Sequence, residues 1–307
     1  MKPKVIVIAG PTASGKTALS IELAKKINGE IISCDSMQIY KYMDIGTAKV
    51  TKEEADGIKH YLIDIVEPNQ RYTVSNFKAD AEKCIEEILS KGKIPIVVGG
   101  TGLYVDSLVY GVEFFDMEYD ENYRNQLMEQ AQTEQGLDAL YNKAKEIDSK
   151  AIEKISPNDK KRIIRVLEIY KATGKNKTEL EIESRKKGVK YDYHVFIVNM
   201  DREILYDRIN RRVNIMIDKG LINEVREIYS KYDSFPTAMQ GLGYKEVVEF
   251  IEGKTSKEEM IEKIQKESRH YAKRQLTWFR KDDSFIWIDG LKNIEDNIRL
   301  IRDEVKL

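Results

Sequence analysis

The residues GPTASGKT at 10–17 fit G-x-x-x-x-G-K-[ST], directly after an apolar run and directly before a helical pattern. Gly10 and Gly15 let the stretch through Pro11, Thr12, Ala13 and Ser14 curl, so that successive backbone N–H groups point at phosphate oxygens. A helix starting near Lys16 adds the positive end of its dipole. Lys16 brings a point charge for the terminal phosphate, and Thr17 a hydroxyl for Mg²⁺. The plainer alternative is a glycine-rich strand-to-helix turn that binds nothing; spacing and context together argue against it. Such a loop grips a di- or triphosphate without naming it, ATP being only the commonest, so the neighbouring residues decide the chemistry.

Three neighbours stand out. SCDSMQIY (33–40) ends the second apolar run, and in a doubly wound sheet the strand ends face the ligand crevice. Asp35 is then placed to hold Mg²⁺ through water or to act as a general base; a carboxylate capping a local turn is the simpler option. Gln38 could hydrogen-bond an adenine edge with both ends of its amide. GGTGLY (99–104) ends the fourth run with no acid, where an ATPase would commonly anchor its metal. It offers Thr101 as a ligand contact, and glycines that let another molecule approach the backbone; Asp64 is a weaker substitute acid. In YDRINRRVNIMIDKG (206–220), Arg208 and Arg212 stand at i, i+4, a pair that could clamp a diphosphate or merely form a solvated face.

Cations cluster twice. Residues 158–190 carry eleven Lys/Arg against five Asp/Glu, and residues 263–281 carry seven against one, interleaved with Tyr271, Trp278 and Phe279. Cations with aromatics suit a nucleic acid, whose phosphates they neutralise and whose bases they stack; a solvated surface is the competing explanation. The whole chain has 51 Lys/Arg and 52 Asp/Glu over 307 residues, a net charge of −1 that rules out a bulk polycation but not a basic face. Two cysteines and three scattered histidines argue against a disulfide framework and a Cys/His zinc site. No apolar run approaches the ~18 residues of a membrane span, and MKPKVIVIAG runs into the glycine loop rather than a cleavage site, so the expected compartment is the cytoplasm.

The elements that must position these groups are six short Ile/Val-rich runs: VIVIAG (5–10), EIISCDS (30–36), YLIDIV (61–66), IPIVVGG (94–100), HVFIVNM (194–200) and FIWIDG (285–290). Each reads as a strand buried on both faces. Helical spacing at 17–27 and 77–91 falls between them, which predicts a parallel α/β sheet. From about 114 to 190 the strands stop and helical periods appear at 121–133, 136–148 and 158–173, the last ending at Gly174. The expected organisation is a core of 1–113 and 191–307 with a helical insertion at 114–190. Long helical regions at 203–232 and 243–275 and a final amphipathic helix complete the core.

GPTASGKT, DSMQIY, DIGTAK (44–49), GGTGLY, NDKKRIIRVLEIY (158–170), QGLGYKE (240–246) and YAKRQLTWF (271–279) occur in this order in bacterial tRNA dimethylallyltransferases, which the chain resembles from residue 5 to about 290. The resemblance implies a P-loop, nucleotide-kinase-like core with a tRNA-binding helical insertion. It implies transfer of a dimethylallyl group from its diphosphate to the exocyclic amine of the adenosine 3′-adjacent to the anticodon, in tRNAs reading codons that begin with U. Gly10 through Thr17 and Arg208 would then hold the leaving diphosphate with Mg²⁺, Asp35 would accept the amine proton, and Thr101 would help seat the adenosine. Family positions that touch tRNA fall on Asp35, Ser36, Met37, Gln38, Thr101 and Arg124, and on Lys161, Arg162 and Arg165. They also fall on Gln240, Gly241, Gly243, Tyr244 and Lys245, and on Lys273, Arg274, Gln275, Thr277, Trp278 and Arg280. The C-terminal zinc finger of many eukaryotic members has no counterpart here, and the basic insertion argues for tRNA over free adenine nucleotides.

The expectation is therefore a Mg²⁺-dependent, monomeric transferase acting on dimethylallyl diphosphate and a tRNA anticodon stem-loop. Two other functions share parts of the signal. An ATP-dependent small-molecule or nucleoside kinase would turn over ATP, and a nucleotide-dependent RNA-binding switch would bind stem-loops and leave them unmodified.

Overall fold

The computed structural model describes residues 2–112, 120–186 and 188–307. Its contacts divide the chain into two compact units, Met1–Val109 with Lys190–Leu307, and Tyr110–Val189. The boundary expected between residues 113 and 114 lies outside the described residues.

The strands, all in the first unit, are β1 (Lys4–Ala9), β2 (Gly29–Cys34), β3 (His60–Tyr61), β4 (Ile94–Gly99), β5 (Asp192–Asn199) and β6 (Ile286–Asp289). They form one parallel sheet in the order β3-β2-β4-β1-β5-β6. The helices preceding and forming the second unit are α1 (Lys16–Ile27), α2 (Lys52–Ala55), α3 (Val74–Ser90), α4 (Gly102–Val109), α5 (Glu121–Gln130), α6 (Glu134–Ile147), α7 (Ser149–Ile152), α8 (Lys160–Thr173) and α9 (Lys177–Lys186). After β5 come α10 (Arg202–Asp218), α11 (Leu221–Lys231), α12 (Tyr244–Ile251), α13 (Lys257–Phe279) and α14 (Ile294–Val305).

Ile and Val fill the central strands because both faces are covered: Ile6, Ile8, Ile31, Ile96 and Phe196 are buried on one face with α1 residues Leu19 and Leu23 and α14 residues Ile298 and Ile301, and Val5, Val7, Ile32, Val97 and Ile197 are buried on the other. Register matters more for the site. Ala9 pairs with Gly99, and Gly99 with Cys34, so the carboxyl ends of β1, β4 and β2 lie side by side. The segments that follow them, 10–15, 100–102 and 35–38, therefore emerge together at one edge of the sheet.

The third strand is shorter than the run at 61–66 suggests. Leu62 and Asp64 take left-handed backbone angles, φ 59° and 57°, which end the ladder after Tyr61. The helical region 203–232 is two helices, parted at Gly220 with φ 100°. The region 243–275 is likewise split into α12 and α13, the latter opened by a Ser256–Glu259 capping box. No helix among the described residues is long and apolar enough to cross a membrane.

In the second unit, Leu127, Leu137, Leu140, Ile163, Ile164 and Leu167 form a core of their own. The helix α9 shows no apolar period because it buries only Leu180 and Ser184. Asp148 holds its start instead, accepting from Thr178 N at 2.8 Å and Thr178 Oγ1 at 2.7 Å.

Candidate active site

Residues 10–15 join β1 to α1. Gly10, at φ 144°, lies so close to β5 that a Cβ there would sit 2.4 Å from the Val198 carbonyl oxygen. Gly15, at φ 88°, stands at the N-cap of α1, and no side chain caps the helix. Its amides are thus left to an anion. Lys16 folds back over the loop, donating to the Pro11 carbonyl at 2.5 Å and lying 3.4 Å from Ser14 Oγ. Thr17 follows, exposed, in the first turn.

Burial drives the Lys16 pKa down to about 7; Arg212 lowers it further and Asp35 opposes. Burial likewise lowers the Arg212 pKa, again against the charge of Asp35. Two desolvated cations thus face one carboxylate at an uncapped helix start, an excess of positive potential that an anionic ligand would relieve. The arginine in this cluster is not the one expected. Arg208 is exposed on α10, whereas Arg212, one turn on, is half-buried and within electrostatic reach of Lys16 and Asp35.

Asp35 caps a turn and faces the cluster as well. Its Oδ1 accepts from Met37 N at 2.8 Å and Gln38 N at 3.3 Å. Its Oδ2 takes no hydrogen bond among the described residues. Thr101 ties the end of β4 to this turn, its Oγ1 accepting from Ser36 N at 3.2 Å. Tyr271, absent from the expected set, lies within hydrogen-bonding reach of Thr101 and within the field of Asp35; burial, then Asp35, raises its pKa and keeps the phenol protonated.

Several other expected contacts turn inward. Gln38 does not offer its amide to a base: Nε2 donates to Thr47 O at 3.2 Å and Oε1 accepts from Ser33 Oγ at 2.9 Å. The glycines of GGTGLY make room for protein rather than ligand. A Cβ at Gly99 would lie 2.0 Å from Cys34 O, one at Gly100 2.1 Å from Gln275 Nε2, and one at Gly102 2.4 Å from the Trp278 ring. Gln275 is buried and bridges the two loops, donating to Gly100 O at 2.8 Å and accepting from Thr12 N at 3.1 Å. Trp278 donates to Asp106 at 3.1 Å. Tyr244 is buried and bonded to Glu224, and Gly241 and Gly243 are buried too. Asp64, the substitute acid, is ion-paired with Lys49. Arg124 grips Glu168 through both carboxylate oxygens, at 2.9 and 3.2 Å.

The expected positions that do face solvent are Gln240 and Lys245, Lys273, Arg274, Thr277 and Arg280 in the first unit, and Lys161, Arg162 and Arg165 in the second. On α8 these cations lie opposite the buried Ile163, Ile164 and Leu167, so the helix presents its charge outward as an amphipathic element must. Ser36 and Met37 are half-buried beside Asp35.

Removing the Gln275 amide should cost stability. Gln275→Ala leaves a buried carbonyl and an amide unpaired, at about 1–3 kcal/mol for each group. A thermal melt checks this, and an unchanged midpoint would mean that water replaces the bridge.

The sequence matches the family described as IPP transferase over residues 38–282. It is 54% identical to a tRNA dimethylallyltransferase of Acetivibrio thermocellus, over 93% of this chain and 91% of that one. It is 48% identical to a tRNA dimethylallyltransferase of a Thermoanaerobacter species, over 96% and 95%. Among solved structures, the fold is similar to a full-length tRNA isopentenylpyrophosphate transferase from Bacillus halodurans, with a TM-score of 0.74, 42% identity and coverage of 99% of this chain and 96% of that one. It is also similar to a eukaryotic dimethylallyltransferase acting on tRNA, with a TM-score of 0.81, 30% identity and coverage of 99% and 80%.

Proposed function

The chain belongs to the IPP transferase family, and from that premise we propose how its own residues carry out the reaction. It is a tRNA dimethylallyltransferase, a prenyltransferase that moves a dimethylallyl group onto tRNA. The donor is dimethylallyl diphosphate, and the acceptor is the exocyclic amine of the adenosine 3′-adjacent to the anticodon in tRNAs reading UNN codons. In the transfer, the bond between the allylic carbon and the diphosphate oxygen breaks. A bond from the amine nitrogen to that carbon forms, and one amine proton leaves.

The half-buried pair Lys16 and Arg212, both desolvated and set against the uncapped start of α1, is the observation that carries this reading. Charge grows on the diphosphate as the carbon–oxygen bond breaks, and preorganised cations and amides there lower the barrier. Asp35 receives the amine proton at Oδ2, while its other oxygen keeps the turn in shape. Thr101 and Tyr271 border the space beside Asp35 and would orient the adenosine. That base must leave the anticodon-loop stack to reach them.

No cluster of three or more His, Cys, Asp or Glu suited to a metal occurs among the described residues. Mg²⁺ fits the loop nonetheless, since it favours water and substrate phosphates with one or two protein ligands, and the Thr17 hydroxyl is exposed where the loop meets α1. Bound there, Mg²⁺ would neutralise part of the diphosphate charge. The outward cations of α13 in the first unit would bind tRNA phosphates, and those of α8 give the second unit a basic face of its own. The enzyme would work as a cytoplasmic monomer.

Incubation with dimethylallyl diphosphate, Mg²⁺ and unmodified tRNA, followed by nucleoside mass analysis, tests the assignment. A prenylated adenosine next to the anticodon is expected. ATP consumption without prenyl transfer would point to the kinase instead. If the exposed cations hold RNA phosphates, tRNA affinity falls steeply with salt, by roughly 10³–10⁵ between 50 and 200 mM for six to ten contacts. A flat profile in filter binding would leave those faces as mere solvated surface.

A further inference from the structure

The segment 240–246 and the helix α11 converge on the loop that carries Asp35. Glu224, half-buried on α11, faces three successive backbone amides of the turn at 44–48. Its Oε2 accepts from Asp44 N at 2.9 Å and Ile45 N at 2.6 Å. Its Oε1 accepts from Gly46 N at 3.1 Å and from the Tyr244 hydroxyl at 2.6 Å. Consecutive amides aimed at one point form an anion nest, and here the anion is a protein carboxylate. The Tyr244 ring lies against the same turn, where a Cβ at Gly46 would be 2.5 Å from it.

The turn has its own internal closure. Ala48 N donates to Ile45 O at 3.0 Å, Lys49 N to Asp44 O at 3.0 Å, and Lys49 Nζ to Tyr40 O at 2.6 Å. Glu224 is therefore not needed for its local shape; what it adds is the turn's place against α11 and α12. From the turn the linkage runs to the site. Thr47 O and Ala48 O accept from Gln38 Nε2 at 3.2 and 3.5 Å, and the Gln38 and Met37 amides donate to Asp35. A second contact supports the first, since a Cβ at Gly241 would lie 2.8 Å from Met37 Sδ.

We propose that Glu224 is a positioning residue for prenyl transfer, holding the 44–48 turn in the one place that aims Asp35 at the acceptor amine. This rests on the transferase reading above. Glu224 acts through Gln38 and never touches substrate. Its carboxylate is required because it accepts four hydrogen bonds and has no proton to turn toward them; a glutamine would set an NH₂ group against donors.

Full-length Glu224→Ala, Glu224→Gln and Tyr244→Phe separate this role from plain stability. A reacting group displaced by about 1 Å costs about 100-fold in rate, so kcat should fall about 100-fold in Glu224→Ala. The loss should be smaller in Glu224→Gln and least in Tyr244→Phe, which removes one bond of the four. The KM for dimethylallyl diphosphate and the affinity for inorganic diphosphate should stay unchanged, because the phosphate loop is anchored elsewhere. Hydrogen exchange should quicken at the amides of Asp44, Ile45 and Gly46 and not in β1 or β4. A fall in diphosphate affinity parallel to kcat, or an unchanged kcat in Glu224→Ala, would overturn the proposal. A wild-type chain that leaves tRNA unmodified sinks the transferase reading itself, whereas an active wild type with a fully active Glu224→Ala sinks only the clamp.

Discussion

Asp35→Asn should lower the transfer rate by roughly 10²–10⁴-fold, the usual contribution of a positioned general base. The substitution isolates basicity from shape. Asparagine keeps an oxygen to accept from Met37 N and Gln38 N, so the turn survives, but the group facing the acceptor becomes an amide. The adenine amine is a poor nucleophile because its lone pair is delocalised into the ring. Loss of the group that takes its proton should therefore appear in the chemical step and not in binding. Single-turnover prenylation, measured beside tRNA affinity by filter binding, should show a large loss in the first and none in the second. A near-wild-type single-turnover rate would remove Asp35 from the proton transfer and leave it a turn cap.

The second large effect separates two arginines one helical turn apart. Arg212→Gln should lower kcat/KM for dimethylallyl diphosphate by about 10²–10³-fold, as loss of a preorganised donor to a developing anion does. Arg208→Gln should do little to that quantity, because an exposed charge is screened by water. Equal losses would mean that both arginines clamp the diphosphate. The same cluster predicts proton linkage. Lys16 has a pKa of about 7 in the free protein, so above pH 7 it is increasingly neutral. A diphosphate beside it favours the charged form and raises that pKa. Binding at pH 8 must then take up a proton, and affinity must weaken as pH rises beyond 7. Calorimetry of inorganic diphosphate binding in buffers of different ionisation heat measures this uptake directly. Lys16→Met should abolish it; the same uptake in that variant would assign the proton to another group.

Some of this site was legible in the chain because its causes are local. A phosphate cradle is eight consecutive residues, so Gly10, Gly15, Lys16 and Thr17 carry their own geometry. Strands covered on both faces need unbroken Ile and Val, which marked the six runs and hence the parallel sheet. Asp35 could be placed because strand ends in such a sheet point to one edge. The helical period at 158–173, ending at Gly174, likewise marked α8.

Which members of the motif blocks face the site follows from packing. Residues at i, i+4 share a helix face, so spacing treats Arg208 and Arg212 alike, and the burial of α10 chooses between them. Gln275 and Thr12, 263 positions apart, form a bridge that no local pattern encodes. Tyr244, Gly241 and Gln38 sit in blocks that resemble an RNA surface, yet each is held by protein partners. The anion cradle, the sheet and the family resemblance are written in the chain, because they follow from neighbouring residues. Packing determined the division of labour within the blocks, because whether a polar side chain meets solvent or a buried partner depends on chain segments far away in sequence.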